Sequence, residues 1–383
     1  MSPEYLQNLS QELIDMYTAT ETELLNSISK KIGQNKSLFI QVEGQTSLIN
    51  DWQLDRLAQL DGLTKDNIKI IAKGTGKTEK EISSIFAQAV ETSTKSDEAL
   101  ISEGIKKGLL NTVPPIGESI AVKNALSFAE NTTLTTFNEI NNSMLRRSNK
   151  AYVDTVNQVT TNVLAGIQTP NQAMVSAVKT MSKDGIPVFV ASNGAKWSAE
   201  AYTSMVIKSN VKSTINVIQD ARIREAGGEY IEINAYGGAR PKCADDQGQV
   251  YSLDGNTEPI KDLNGDTVYP RDWADSSYGE ADGILGINCG HQRFMFVPEL
   301  SGFDREKIKA KENDDIYKEK QQQRYLERDI RNAKREKLSL ENAKTDPQAI
   351  KKAQSKISAR QESMREFIDK TDRNRNYARE KVI

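Results

Sequence analysis

The chain of 383 residues has only two cysteines and one histidine, and aromatic residues make up 6% of it. Two cysteines build no disulfide framework, so the fold must rest on packing or on another kind of staple. No window reaches 18 uninterrupted apolar residues, which leaves nothing to span a membrane. The opening run MSPEYLQNLSQELIDMY has no basic stretch followed by an apolar core, so no signal peptide is expected and synthesis in the cytoplasm is. Glycine and proline are not enriched, which argues against wholesale disorder. Net charge is nearly absent too, at −2, but this conceals an asymmetry. Residues 304–383 carry 23 Lys and Arg against 16 Asp and Glu, or +7, leaving −9 for residues 1–303. An acidic body with a basic tail suits a tail that meets an anionic surface, or simply a solvated helical face.

Most of the chain reads as helix. Leu6, Leu9, Leu13, Tyr17, Leu24, Ile28 and Ile32 follow three/four spacing, the mark of an amphipathic helix. Trp52, Leu54, Leu57 and Leu60 open another, and Thr64-Lys65-Asp66 has the composition of a helix start. Gly74-Thr75-Gly76-Lys77-Thr78 has the ending of a phosphate-binding loop. That loop needs an earlier glycine where this chain has Ile71, and a strand where it has helical pattern, so a helix–turn–helix linker is the better reading. Thr78 and Glu81 form a capping-box pair ahead of Ile82, Ile85, Phe86 and Val90. After the break at Pro114-Pro115, helix resumes from about Ser119 to Val163. Thr169-Pro170-Asn171-Gln172 supplies cap, first-turn proline and capping-box partner for the next helix, which ends near Gly185. Pro187–Val190 reads as a short strand, and a helix follows from about Ser198 to Ala226.

Beyond Gly227-Gly228 the character changes to Gly-rich turns and short β-type runs at Tyr230–Ile233, Gln249–Ser252 and Arg293–Val297, with long loops over 254–286. From residue 303 the pattern is helical and polar again. Leu326, Ile330 and Ala333 mark one stripe. Asp346 and Pro347 cap a second helix with Ile350, Ala353, Ile357, Met364 and Phe367. The expected fold is therefore α+β: a predominantly helical N-terminal body, a small β-rich module and a C-terminal helical hairpin of two helices about 20 residues long. The divisions fall at 1–113, 114–228, 229–302 and 303–383. One narrow stripe per helix is too little for an independent core, so the hairpin has to dock on something.

Cys243, Cys289 and His291 all fall inside the β-rich module. Thiolate and imidazole are preferred zinc ligands, and a structural site needs four. Asp245, Asp246 or Asp272 are candidates for the fourth. Three readings stand side by side: a structural zinc, a polar cluster with free thiols, and a Cys243–Cys289 disulfide, which a reducing cytoplasm disfavours. A cysteine–histidine nucleophile is chemically allowed, but no nucleophile motif accompanies it.

Three ordered runs resemble the phage minor capsid protein 2 family of tailed phages and prophages of Gram-positive bacteria. They are Gly238-Ala239-Arg240-Pro241, then Gln247-Gly248-Gln249-Val250-Tyr251-Ser252, then the nine residues from Gly283 to His291. The segment Gln322–Arg331 and the ending Arg375–Glu380 are similar to the family as well. Two departures occur: Cys243 stands where the family usually has His, and Asp246 where it usually has Trp. His-for-Cys exchange is what a metal-ligand position tolerates. The resemblance implies a virion protein made in the bacterial host cytoplasm, a minor head component similar to Mu-type morphogenesis proteins. It implies association with the portal protein and with the major capsid or scaffold protein, and a role in head morphogenesis and DNA packaging or delivery. It brings no catalytic residues. The basic tail, with Arg373, Arg375, Arg379 and Lys381 near its end, is the candidate for contact with phage DNA. The competing expectation is a metal-dependent hydrolase or nuclease acting during phage DNA entry.

Overall fold

The computed structural model describes residues 3–34, 47–287, 289–303 and 309–382; Asn288 of the Gly283–His291 run and the first residues of the basic tail lie outside them. The chain divides into two compact units, each assembled from three separate segments. The first comprises Met1–Glu12, Thr78–Thr136 and Ser204–Lys320, and the second Leu13–Lys77, Phe137–Thr203 and Gln321–Ile383.

Among its described residues, the second unit is helical apart from one hairpin. Helix α1 (Pro3–Leu9), which belongs to the first unit, is separated from α2 (Gln11–Ile32) at Ser10, so the long amphipathic stripe is carried by two helices. Leu13, Tyr17, Leu24, Ile28 and Ile32 of α2 are all fully buried, as their spacing predicts. Helices α3 (Ser47–Ala58) and α4 (Leu60–Thr75) follow. Thr64 does not start a helix. It sits one turn inside α4 with its hydroxyl donating to the Leu60 carbonyl at 2.8 Å, the back-bonding that lets threonine tolerate a helix interior. Gly76 and Lys77 form the turn between α4 and α5 (Thr78–Lys106), as expected of a helix–turn–helix linker. The 45-residue α6 (Ile120–Leu164) gives its last residues, from Phe137 on, to this unit. Helix α7 (Pro170–Asp184) begins with the expected capping box: Thr169 Oγ1 accepts from Gln172 N, and Gln172 Oε1 accepts from Thr169 N at 3.1 Å. The strand expected at Pro187–Val190 is shorter, β1 (Phe189–Val190), paired antiparallel with β2 (Lys196–Trp197).

The C-terminal hairpin consists of α10 (Ala310–Asn342) and α11 (Pro347–Asp369), with Asp346 capping α11 through Gln348 N at 2.9 Å. Helix α10 has 33 residues rather than about 20, because its polar first turns, up to Lys320, belong to the first unit. Leu326 and Ile330 pack against Met364, Phe367 and Ile368. The hairpin docks on its own unit: Arg335 pairs with the buried Glu21, Arg331 with Glu200, and Asn342 with Asn26. The chain end folds back on α10. Arg373 donates to Gln323 at 2.6 Å, Arg375 pairs with Glu380 through two bonds, and Arg379 pairs with Glu327. These three arginines, expected to face solvent, are occupied by their own unit.

The first unit holds α5, the first part of α6, most of α8 (Ala199–Ala226), and the β-rich module. Its sheet has the order β7-β4-β3-β8, formed by β3 (Tyr230–Ile233), β4 (Gln249–Ser252), β7 (Arg271–Asp272) and β8 (Arg293–Phe296). Strand β3 pairs antiparallel with β4 and β8; β7 joins β4 in parallel. Side chains alternate between faces along a strand. Ile231, Ile233, Tyr251 and Met295 bury one face against Ile101, Ile223 and the two cysteines, while Tyr230, Val250 and Phe296 bury the other against Val268. The region 254–286, expected as long loops, contains β7 and a small hairpin of β5 (Ile260–Lys261) and β6 (Thr267–Val268). Strands of two residues carry no alternation to read.

Candidate metal centre

Cys243 stands on α9 (Pro241–Ala244), a single turn that starts with proline at its first position. The preceding Gly238-Ala239-Arg240 run is fixed from α10: Asn313 accepts from Ala239 N at 2.7 Å and donates to the Ala239 carbonyl at 2.8 Å. Gly238 has φ of +80°, and a Cβ there would lie 2.8 Å from Ile316, so both backbone and space require glycine. Arg240 then clasps the second half of the site, donating to the Ile287 carbonyl at 2.9 Å and the Gly283 carbonyl at 3.3 Å. The loop it holds runs from Gly283 to Cys289. A Cβ on Gly283 would fall 1.9 Å from the Ser277 carbonyl oxygen, which explains the residue type. Leu285 adopts φ of +58°, uncommon for a side-chain-bearing residue, and this turns its N–H onto Cys289 Sγ at 3.2 Å.

The loop and the turn bring all three sequence-predicted residues together. Cys243 Sγ lies 3.8 Å from Cys289 Sγ, and Cys289 Sγ lies 3.3 Å from His291 Nδ1. The three donor atoms fall within 4.8 Å of one another, so the group can coordinate a metal ion. Exposures of 1%, 3% and 1% put the donors beyond reach of another macromolecule. Both thiols are free.

The surroundings fix how these groups face one another. Gln247 Oε1 accepts from Tyr236 N at 3.1 Å and lies 3.0 Å from His291 Nε2. The backbone donor fixes that atom as the amide oxygen, so His291 Nε2 donates to it and Nδ1 faces Cys289 Sγ. Such a partner on the far nitrogen is what orients a metal-binding imidazole. Cys289 Sγ also accepts from His291 N at 3.4 Å. The hydrogen bond from Cys243, with help from His291 and Lys212, holds Cys289 below the ordinary thiol range; the same bond and burial push Cys243 up. Lys212 of α8 donates to the Cys289 carbonyl, and burial pulls its ammonium down to about 8 against the opposing pull of the two cysteines.

None of the three aspartates considered as a fourth ligand joins the described cluster. Asp246 accepts from Tyr251 Oη at 2.8 Å and from Ser277, and Asp272 caps the turn at Trp273–Asp275 through Ala274 N. Asp245 ends α9, its carbonyl accepting from Arg271. Lys212 was not foreseen: no motif marks it, and only the packing of α8 brings it to the site. Arg240 and Gln247 lie in runs singled out in the sequence, but nothing in the runs assigns their roles.

Comparison with known proteins decides the family. Residues 1–369 match phage minor capsid protein 2. The chain belongs to that family. It is 28% identical over 345 residues to a structural protein of Lactococcus phage LL-H, covering 86% of this chain and 88% of that one. It is 35% identical over 114 residues to a structural protein of Lactococcus phage mv4, covering 28% of this chain and 88% of that one. No solved structure matches. By this membership the protein is a phage structural protein. The runs that resemble minor capsid protein 2 now have physical roles: their glycines and Arg240 shape the loops that hold the Cys/His cluster. Asp246 is buried and accepts hydrogen bonds from Tyr251 and Ser277.

Proposed function

We propose that the protein is a minor component of the phage head, seated at the portal or on the capsid interior, that acts in head morphogenesis and in the packaging or delivery of DNA. The family match over residues 1–369 carries this reading. Its partners are the portal protein and the major capsid or scaffold protein, with phage DNA as a further contact of the C-terminal tail. The host cytoplasm is where it is made, and the segments 1–113, 114–228, 229–302 and 303–383 are its functional divisions. A clean deletion in the phage should yield defective heads or non-infectious particles, scored by electron microscopy and plaque counts. Normal plaque numbers from the deletion would count against the proposal.

The same proposal includes a zinc on Cys243, Cys289 and His291, which supply three of the four ligands a structural site needs. Zn–S bonds of about 2.3 Å and a Zn–N bond of about 2.05 Å in a tetrahedron place two sulfurs about 3.8 Å apart and a sulfur and nitrogen about 3.6 Å apart. The observed edges of 3.8 and 3.3 Å support this reading, and the third, Cys243 to His291, lies within 4.8 Å. Zinc would staple the turn of α9 to the loop before β8. Removal by a chelator should lower the melting temperature of purified protein, because structural zinc binding is coupled to folding. Elemental analysis of protein purified without added metal checks occupancy; protein free of zinc and indifferent to chelator would remove it from the proposal.

A further inference from the structure

The thiols of the centre are the only two in the chain, so oxidation within one molecule has a single disulfide product. We infer that the Cys243–Cys289–His291 centre is a redox-released metal site: it holds a thiophilic divalent ion while both thiols are reduced, and gives it up when a small peroxide joins them. This rests on the zinc reading above and adds its regulation.

Geometry supports both states. The sulfurs stand 3.8 Å apart. A disulfide needs about 2.05 Å, so each sulfur has to move by only about 1 Å. Neither is held by a regular long element: Cys243 sits on a four-residue turn and Cys289 in a loop. Two backbone N–H groups, from Leu285 and His291, point at Cys289 Sγ and fix its position 3.8 Å from Cys243 Sγ. A cavity of about 20 Å³ lined by Lys212, Leu285 and His291 adjoins the centre. It has room for a molecule about the size of water and meets the centre at His291; neither cysteine is among its lining residues.

The chemistry balances with the peroxide as sole oxidant. Cys289 Sγ attacks one peroxide oxygen, the O–O bond breaks, and hydroxide leaves, giving a sulfenic acid. Cys243 Sγ attacks that sulfur, the S–S bond forms, and the hydroxyl departs as water after taking a proton. Two thiolates, one hydrogen peroxide and two protons become one disulfide and two waters. The sulfurs lose two electrons, the peroxide gains two, and the metal keeps its charge. Among the described residues only His291 then remains of the donor cluster. A single imidazole does not retain zinc, so release is all or none. A protein assembled in a reducing cytoplasm and carried into an oxidising medium would cross this switch once.

The test uses the full-length reduced protein loaded with zinc. Hydrogen peroxide is added with a chromophoric zinc indicator present, and free thiols are counted by maleimide labelling after denaturation. The expected result is release of about one zinc per chain in step with loss of both thiols, reversed by a thiol reductant. If the reduced protein takes up no zinc, the metal reading itself is overturned. If zinc is bound but stays bound through oxidation, or leaves with the sulfurs carried to sulfinic acid instead of a disulfide, the switch is overturned while the metal reading stands. The His291→Ala variant separates the two functions. It should lose tight zinc binding yet still form the disulfide, and a variant that keeps its zinc would sink the ligand assignment.

Discussion

At the scale of single residues, Tyr152 offers a sharp test of burial energetics. Its ring is fully buried, and its hydroxyl donates to the Arg56 carbonyl at 2.7 Å. Burial pushes the phenol up from 10.0 to about 12, partly opposed by Arg56 and reinforced by Asp55. A raised folded-state value means that the fold favours the protonated form. That contribution is complete below pH 10, where both states keep the proton, and is lost as pH rises from 10 to about 12. Two pK units correspond to at most about 3 kcal/mol. Tyr152→Phe should cost about 1 kcal/mol at neutral pH through the lost hydrogen bond. Chemical denaturation of both proteins at pH 8 and pH 11 checks this: the difference should shrink at the higher pH. A constant gap would show that the phenol is not desolvated as its burial implies. The candidate centre was legible at this scale because cysteine and histidine are so scarce here that their co-location stands out. Lys212 and Gln247 were not, since a lysine and a glutamine carry no mark until the fold aims them.

At the scale of elements, helix ends were the readable part. Thr169, Pro170 and Gln172 announce α7 because each meets a backbone requirement of a helix start, and the capping box forms as written. Thr169→Ala should lower stability by about 1 kcal/mol, measured by urea denaturation. An unchanged midpoint would mean that the cap adds nothing beyond the packing of α7. The three strands with alternating apolar residues were equally legible. Strands β5, β6 and β7 were not: two residues each are too few to show a period, and their pairing is set by distant partners. Thr64 misled for a related reason. The composition of a cap also suits a threonine that bonds its own preceding turn.

At the scale of the whole molecule, the charge asymmetry needs a different test from the one the sequence suggests. Cutting the chain near Phe303 would remove Gln321–Ile383, a full segment of the second unit, and so would confound DNA binding with unfolding. The arginines near the end are already paired, whereas Lys351, Lys352 and Lys370 are exposed on or just beyond α11. Replacing these three lysines by glutamine should weaken sequence-independent binding to duplex DNA. It should also flatten its salt dependence, by a slope of about 0.9 per lost phosphate contact. Fluorescence anisotropy at several salt concentrations reads both, and identical slopes would exclude α11 as a DNA-facing surface.

The interleaved composition of the two units also sets a timetable. Ribosomes release chains from the N-terminus at roughly 5–20 residues per second, so 383 residues emerge over roughly 20–80 s. The first unit lacks its third segment until Lys320 has been made, and the second waits for Gln321–Ile383. Helices can form early, but the core of the first unit cannot close before Lys320 has emerged. The core of the second closes later still, once its third segment follows. Before Lys320 has emerged, neither unit has a finished surface to offer a partner. A chain broken off at that point would lack a whole segment of the second unit rather than a tail.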